Sequence, residues 1–183
     1  MHAISSLAEL GFAHINLRDV AVRSGVSLGV IHYYFESKTE LLIYCISIYK
    51  EEFIAGLTEL IGDARDPERL LAGFADFLAD TVETKAHIHR LWYDVRAQAQ
   101  FDEAFQAVVC EFETLLTDIF HVLAAKMREL GVACQASDAL RLYLNIDNWF
   151  RYCLLHKLMG EGEAVSLLRA RTLEELRATF PLS

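Results

Sequence analysis

Proline and long apolar runs are scarce in this sequence. The 183 residues include two prolines, Pro67 and Pro181. Because neither interrupts a long amphipathic segment, helices are permitted along almost the whole chain. No apolar run is long enough to cross a bilayer, and the first residues lack the basic and apolar stretches of a signal peptide. We therefore expect a cytoplasmic protein that has no contact with a membrane.

Cysteine and histidine are poorly placed for metal binding. The four cysteines lie far apart, and no two of them have the Cys-x-x-Cys spacing. This argues against a zinc knuckle and against structural disulfides. His87 and His89 are two positions apart, so on a helix they point to different faces, unlike a zinc-binding pair at four-residue spacing. We expect reduced, buried thiols, no metal site and no cofactor.

Positive charge is both scarce and unevenly distributed. The chain carries 17 basic and 26 acidic side chains, which gives a net charge of −9. Residues 1–50 hold four of each sign, whereas residues 51–183 hold the other 13 basic and 22 acidic side chains. A neutral end can approach a polyanion while the acidic remainder is repelled by it.

Helical periodicity dominates what the sequence does contain. Strand-like alternation is absent, and the breaks between apolar segments are short. Ser37 followed by Glu40 has the pattern of a capping box, and Asp66 before Pro67 is a second helix start. The pattern predicts an all-α protein of about nine helices. They are one ending at Gly11-Phe12, then 17–23, 27–34, 38–61, 67–84, 87–98, 102–129, 137–159 and 161–178.

No group of residues indicates catalysis. We find no nucleophile with a neighbouring base, no paired buried carboxylates and no glycine loop of the kind that binds phosphates. The one glycine cluster, at residues 160–162, lies at a helix junction where a turn explains it. The sequence therefore predicts a protein that is not an enzyme.

Residues 17–35 have the spacing of a helix-turn-helix. Ala21 is the small residue needed where two helices cross steeply, and Gly25 can take the positive φ that the turn requires. Val20, Val26 and Ile31 then fall on the inner face of the motif, with Leu17 closing one end. An ordinary helical hairpin would also fit this short window.

Several short motifs surround that window. They are a glycine-aromatic pair (11–12), an Arg-Asp-Val-Ala helix (18–21), a Gly-Val-Ser turn (25–27), an aromatic cluster (33–35) and a Ser-Lys pair (37–38) before two leucines (41–42). Together, over residues 4–46, they resemble the signature of the TetR (tetracycline-repressor) family. The resemblance implies a three-helix DNA-binding domain at residues 1–46 and an effector-binding and dimerisation domain at residues 47–183.

The resemblance also implies which residues bind DNA. Ser27 caps the recognition helix and offers its hydroxyl and amide to a phosphate. Other side chains of that helix face base edges, while tyrosine hydroxyls and two basic side chains bind the phosphate backbone. His32 stands where the family more often has tyrosine. The predicted DNA-binding residues are Arg18, Ser27, Leu28, Val30, His32, Tyr33, Tyr34 and Lys38.

One departure from the family concerns the start of the chain. The family usually has a basic arm and a further helical turn before the residue that matches Ile4, whereas here the first predicted helix begins almost at Met1. Because this head carries no net positive charge, we expect it to bind DNA weakly without such an arm.

Large aromatic rings and a polar stripe indicate where an effector binds. Polar side chains recur at three- and four-residue steps in the predicted helix 137–159, and an amide-rich stripe of this kind is typical of a wet pocket or a polar seam. Any single ring is more often a core residue than a ligand contact. The predicted effector-binding residues are Trp92, Phe105, Asn145, Asn148, Trp149 and Tyr152.

The last two predicted helices carry apolar residues on more than one face. Such helices need neighbours on two sides, and we expect the second neighbour to be another copy of the chain. The predicted dimer interface consists of Leu140, Leu144, Leu154, Leu158, Leu168 and Leu176.

These features together predict a ligand-responsive transcriptional regulator that binds a double-stranded DNA operator as a homodimer. The form that the resemblance favours is a repressor released from a palindromic operator by a small molecule. The alternative is a helical protein-interaction module without DNA binding. That alternative would explain the acidic helices but not the combined motifs at residues 17–42.

Overall fold

The structure is a computed structural model that describes residues 15–134 and 138–182. Over these ranges the chain is all-α, as predicted. It forms α1 (Leu17–Ser24), α2 (Leu28–Tyr34), α3 (Lys38–Asp63), α4 (Pro67–Gln98), α5 (Glu103–Glu129), α6 (Asp138–Leu158) and α7 (Ala164–Thr179). The predicted helix that ends at Gly11-Phe12 lies outside the described residues.

Local capping chemistry starts two of the long helices. The Ser37 hydroxyl accepts a hydrogen bond from the Glu40 N–H at 3.1 Å, which confirms the predicted start of α3. The Asp66 carboxylate accepts one from the Arg69 N–H at 2.8 Å, and Pro67 is the first residue of α4. Both caps satisfy backbone donors that a helix start leaves without partners.

The predicted break between residues 84 and 87 is present as a kink at Lys85, where φ is −129° and ψ is 26°. The two predicted helices meet at this kink and together form α4. Neither proline nor glycine lies there to end the helix. Instead, the Thr84 hydroxyl donates to the Asp80 carbonyl at 2.7 Å, and such a bond back to the preceding turn bends helices without stopping them. The merged helix and the undescribed first one explain why seven helices are described where about nine were predicted.

The described residues form two compact units. The first unit contains the described residues up to Glu51 together with His87–Phe112, and the second contains Glu52–Ala86 with the described residues from Glu113 onward. All described residues of the predicted DNA-binding domain, 15–46, fall within the first unit. The boundary at residue 46 stays a prediction.

The core of the first unit combines aromatic rings with paired polar groups. The rings of Trp92 and Phe112 lie 4.5 Å apart between centroids. The Tyr49 hydroxyl lies 2.6 Å from His89 Nδ1, and burial raises the Tyr49 pKa well above its ordinary value. The ammonium of the buried Lys50 lies 2.7 Å from a Glu111 carboxylate oxygen. These pairs connect α3 with α4 and α5, since a buried polar group is costly without a partner.

The second unit is held together by close packing of its helices. Gly56 of α3 lies against Phe77 of α4, where a Cβ would come within 2.7 Å of the ring. Helix α7 buries Ala164, Leu168, Thr172 and Leu176, one residue per turn of a single face.

None of the helices in the described ranges is long and apolar enough to cross a membrane.

The cysteines only partly follow the prediction. All four are free; Cys45 and Cys153 are buried, whereas Cys110 is exposed and Cys134 is partly exposed. Burial raises the Cys45 pKa to about 11, so its thiol stays protonated. Among the described residues, no group of three or more His, Cys, Asp or Glu side chains is placed to hold a metal ion.

Candidate DNA-binding interface and regulatory region

The turn between α1 and α2 has the predicted helix-turn-helix chemistry. Gly25 ends α1 in the left-handed region, at φ 65° and ψ 25°. Its N–H donates to the Val22 carbonyl, and the Val26 N–H donates to the Ala21 carbonyl at 3.1 Å. These two bonds close the helix end in the way that a left-handed glycine permits. Val20 and Ala21 are buried, in agreement with the prediction.

Val26 was predicted to lie on the inner face of the helix-turn-helix, but this prediction is wrong. Its side chain is 39% exposed, whereas Val20 and Ile31 are buried, and Leu17 is half-buried. Val26 directly follows the left-handed glycine, and its backbone is used to close the end of α1. The turn directs its side chain outward, which helical periodicity alone does not reveal.

Helix α2 presents almost all of its side chains to solvent. Ile31 is its one buried residue, and the Ser27 hydroxyl caps the helix by accepting from the Val30 N–H at 3.3 Å. Tyr33 is 82% exposed, and its ring meets that of Tyr34 edge-on at 5.0 Å. The other exposed residues of α2 are Leu28, Gly29, Val30, His32 and Tyr34. A helix that exposes so many apolar and aromatic groups is suited to contact another molecule.

The predicted cationic contacts lie on the flanking helices. Arg18 is exposed on α1. Lys38 is the first residue of α3, and the start of a helix carries partial positive charge. Partial burial lowers the pKa of Lys38 below its ordinary value. Both helices flank α2 in sequence, and both basic side chains belong to the first unit.

The predicted effector-binding set is divided between the two units. Trp92 and Phe105 are core residues of the first unit, and both are buried. The other four, Asn145, Asn148, Trp149 and Tyr152, belong to α6 in the second unit. The set therefore does not form one cluster within either unit. For Trp92 and Phe105 the structure favours the alternative that these rings fill a core.

The polar stripe of α6 meets α7 at one of its residues, Asn145. Asn145 donates to a Glu175 carboxylate oxygen at 2.9 Å. The Arg171 guanidinium lies over the Trp149 ring, 5.0 Å from its centroid, which is a cation–π contact. Tyr152 also meets the Trp149 ring edge-on, whereas Asn148 is exposed. The predicted seam is therefore found at Asn145, whereas Tyr152 lines a cavity at the end of α6.

A cavity of about 380 Å³ lies where α6 ends and α7 begins. Tyr152, His156, Glu161 and Leu167 line it together with other residues of both helices. His156 Nδ1 lies 2.6 Å from a Glu161 carboxylate oxygen, and the His156 ring stacks on Tyr152. The sequence did not single out Glu161, because only the reversal of the chain at Gly160 brings it back to α6.

The predicted dimer residues divide into exposed and buried groups. Leu140 and Leu144 are 50% and 47% exposed, and Leu158 is half-buried. Leu154, Leu168 and Leu176 are buried within one chain, so they belong to the core of the second unit and not to a free surface. The other exposed apolar residues of this face are Leu155 and Met159, which lie at and just after the end of α6 and were not among the predicted interface residues. Helical spacing shows that α6 and α7 have two apolar faces but not which of them packs inward.

Comparisons with known proteins agree with the helix-turn-helix. Residues 2–45 match the family model described as bacterial regulatory proteins of the tetR family. Over 146 residues the chain is 22% identical to the HTH-type transcriptional activator FasR of Mycolicibacterium smegmatis. That alignment covers 75% of this chain and 66% of FasR, so the chain spans just under two thirds of that relative's length.

Solved structures show the same fold over nearly the whole chain. A TetR transcription regulator from Haloarcula marismortui has a TM-score of 0.79 and 20% identity, covering 98% of this chain and 97% of its own. The regulator FadR from Bacillus subtilis, solved in complex with stearoyl-CoA, has a TM-score of 0.72 and 20% identity, with coverage of 96% and 94%. At these identities the structural likeness concerns the fold.

Proposed function

We propose that this chain, which belongs to the TetR family of bacterial regulatory proteins, is a repressor that leaves a palindromic operator when it binds a small molecule. Family membership makes it a DNA-binding transcriptional regulator and not an enzyme. The observation that carries the proposal is the outer surface of α2, which stays exposed although it carries Leu28, Val30 and two tyrosines.

The proposed DNA contacts follow from the position of each side chain. Leu28, Val30 and Tyr33 project from α2 toward the base edges of a major groove, with His32 beside them. The hydroxyls of Ser27 and Tyr34 contact phosphates. Arg18 from α1 and Lys38 from α3 contribute the charge attraction, since a phosphate contact provides affinity without sequence preference.

Binding of the intact chain to genomic DNA fragments tests this function. We expect retardation of a small set of fragments at low salt. Lys38→Ala should weaken binding to every fragment and lower the salt-dependence slope by about one. Lys85→Ala is the matched control, because it removes the same charge from a partly exposed lysine of the second unit. Failure of the intact chain to retard any fragment would favour the interaction-module alternative.

We propose that a second copy of the chain covers the outer face of α6. Leu140 and Leu144 lie near the start of this face and Leu155 and Met159 at its end, and each is about half exposed or more. The four residues are called the α6 stripe; Asn148 and Arg151 lie between its two halves. With α7 beside α6 in each chain, two copies would form a four-helix bundle, as the family resemblance implies. Two-fold pairing would place the recognition helices at successive major grooves, about 34–36 Å apart.

Release by a ligand is the part of the proposal that needs a chemical probe. An effector changes DNA affinity only if it binds better to one of two conformations of the dimer. Stearoyl-CoA is the first compound to test, because the Bacillus subtilis FadR was solved with it. A compound that raises the melting temperature and weakens operator binding supports release. A compound that raises it and leaves operator binding unchanged contradicts release.

A further inference from the structure

We infer that α2 recognises thymine methyl groups, so that each operator half-site carries thymines at the positions that Leu28 and Val30 contact. The inference rests on the proposed binding of DNA by α2. It adds the chemistry by which that helix distinguishes one base pair from another.

Residues around the recognition helix lack the usual hydrogen-bonding readers of bases. Residues 24–37 contain no Arg, Lys, Asn or Gln. Those four side chains make the paired hydrogen bonds that identify guanine and adenine in the major groove. The polar groups on the exposed part of α2 are the His32 ring and the two tyrosine hydroxyls, which offer single hydrogen bonds. Paired hydrogen bonds to a base are therefore not available from this helix.

The orientation of α2 leaves two aliphatic side chains for base contact. Burial of Ile31 determines which side of the helix faces the protein. Gly29 and Tyr33 lie nearly opposite Ile31 on the helix, and Leu28 and Val30 flank Gly29. Leu28 is 38% exposed and Val30 is 44% exposed. The two aliphatic groups are thus partly exposed on opposite sides of the helix, each about 100° around the axis from Gly29, where they would face the two walls of a groove.

Gly29 allows the helix backbone to approach the bases closely. A Cβ at this position would meet no atom of the chain nearer than the Ser27 hydroxyl, at 3.8 Å. Packing within the chain therefore does not require glycine here, and its φ is not positive. The missing side chain leaves room for the groove floor, which brings Leu28 and Val30 to the level of the base edges.

Thymine is the base with an apolar group in the major groove. Its C5-methyl is absent from cytosine, and an aliphatic side chain gains by covering it. Burial of one such group contributes about 0.8 kcal/mol, which is about a fourfold change in affinity. The half-site therefore contains thymines whose methyl groups, and not only their hydrogen-bonding atoms, contribute to binding.

The experiment uses the full chain and an operator fragment obtained by selection from genomic DNA. Each thymine is replaced in turn by deoxyuridine, which removes the methyl group and leaves base pairing unchanged, and the dissociation constant is measured by fluorescence anisotropy. We expect about a fourfold loss at the contacted positions and no change elsewhere. Among fragments in which cytosine replaces a contacted thymine, those with 5-methylcytosine should bind the protein more tightly than those with cytosine, because the methyl group is restored.

Protein variants assign the methyl contacts to α2. Val30→Ala should remove the effect of deoxyuridine at one position of each half-site. Val122→Ala on α5 is the matched control, because Val122 is 45% exposed and Val30 is 44% exposed. The control variant should keep the full deoxyuridine effect. Sequence-specific binding that is insensitive to deoxyuridine at every position would overturn the inference and leave the proposed function intact. Failure to select any fragment would overturn the proposed function itself.

Discussion

Helices α2 and α6 both expose apolar side chains, but they do so in different ways. On α2 the exposed groups are two aliphatic residues and two tyrosines, and Arg18 and Lys38 lie on the neighbouring helices α1 and α3. On and just after α6 they are mainly leucines and a methionine, which lie on one face near the two ends of the helix, with the exposed Asn148 and Arg151 between them. The first combination of apolar, hydroxyl and cationic groups suits DNA. The second suits a protein partner of the same apolar character.

The contrast shows which kind of surface can be recognised from sequence. The α2 surface is specified locally, because the left-handed Gly25 and the Ser27 cap determine where the helix begins. The α6 surface depends on which of its two apolar faces packs against the rest of the second unit. That choice is made by tertiary contacts, and the spacing of leucines is the same for both faces.

The largest expected effect comes from placing charge on the α6 stripe. Leu144→Asp combined with Leu155→Asp should convert the proposed dimer into a monomer and weaken operator binding by roughly 10²–10⁴-fold, because two linked half-sites are lost as a unit. Sedimentation of the unmodified chain at micromolar concentration should give twice 20.8 kDa. Val122→Asp is the control for an added carboxylate on an exposed apolar site. A double variant that remains dimeric would rule out this stripe as the interface.

A core substitution on α7 should act on stability and not on assembly. Leu168 is fully buried, whereas Leu144 is 47% exposed. Leu168→Ala should therefore lower the free energy of unfolding by about 2–5 kcal/mol, as a buried cavity does. Leu140→Ala, at a leucine that is 50% exposed on α6, should have a much smaller effect on a monomeric form. Denaturant unfolding of Leu168→Ala and Leu140→Ala, each made in the monomeric Leu144→Asp and Leu155→Asp background, separates the two roles. Equal stability of the Leu168→Ala protein and its parent would contradict the burial of Leu168.

The smallest expected effect concerns the outward side of α7. A hydrogen bond from the Arg169 guanidinium to the Asp76 carboxylate lowers the pKa of Asp76. Because this pKa is lower in the folded than in the unfolded chain, the ionised Asp76 stabilises the fold at pH values above the ordinary carboxyl pKa of about 4. That contribution is lost as the pH falls through the folded-state pKa. Asp76→Asn should thus be slightly less stable than the unmodified chain at pH 7, and the difference should vanish in acid. Because the pair is exposed, we expect a small change. A difference that grows as the pH falls would contradict this assignment.

Much of the first unit could be predicted from the sequence, and particular residues show why. Asn16, Ser27 and Ser37 cap helices through bonds to residues three positions later, so short windows of sequence contain both partners. The outward side chain of Val26 could not be predicted in this way. It depends on how the backbone turns after Gly25, and the residue type at position 26 permits either result.

The regulatory region was less predictable because its contacts join distant parts of the chain. Asn145 meets Glu175, and the Arg171 side chain covers Trp149, across the loop that joins α6 to α7. The polar stripe on α6 was visible in the sequence, but its partners were not. For the same reason Leu168, which is apolar and helical like Leu144, gave no sign that it is buried.

The central claim is that the exposed surface of α2 binds the operator, and Tyr33 tests it most directly. Tyr33 is 82% exposed on α2, and Phe101 is 85% exposed in the first unit outside the helix-turn-helix. We propose to measure operator affinity and melting temperature for Tyr33→Ala and Phe101→Ala. The account predicts unchanged melting temperatures, an affinity loss on the order of tenfold for Tyr33→Ala and none for Phe101→Ala. Equal operator affinity for the two variants would contradict it.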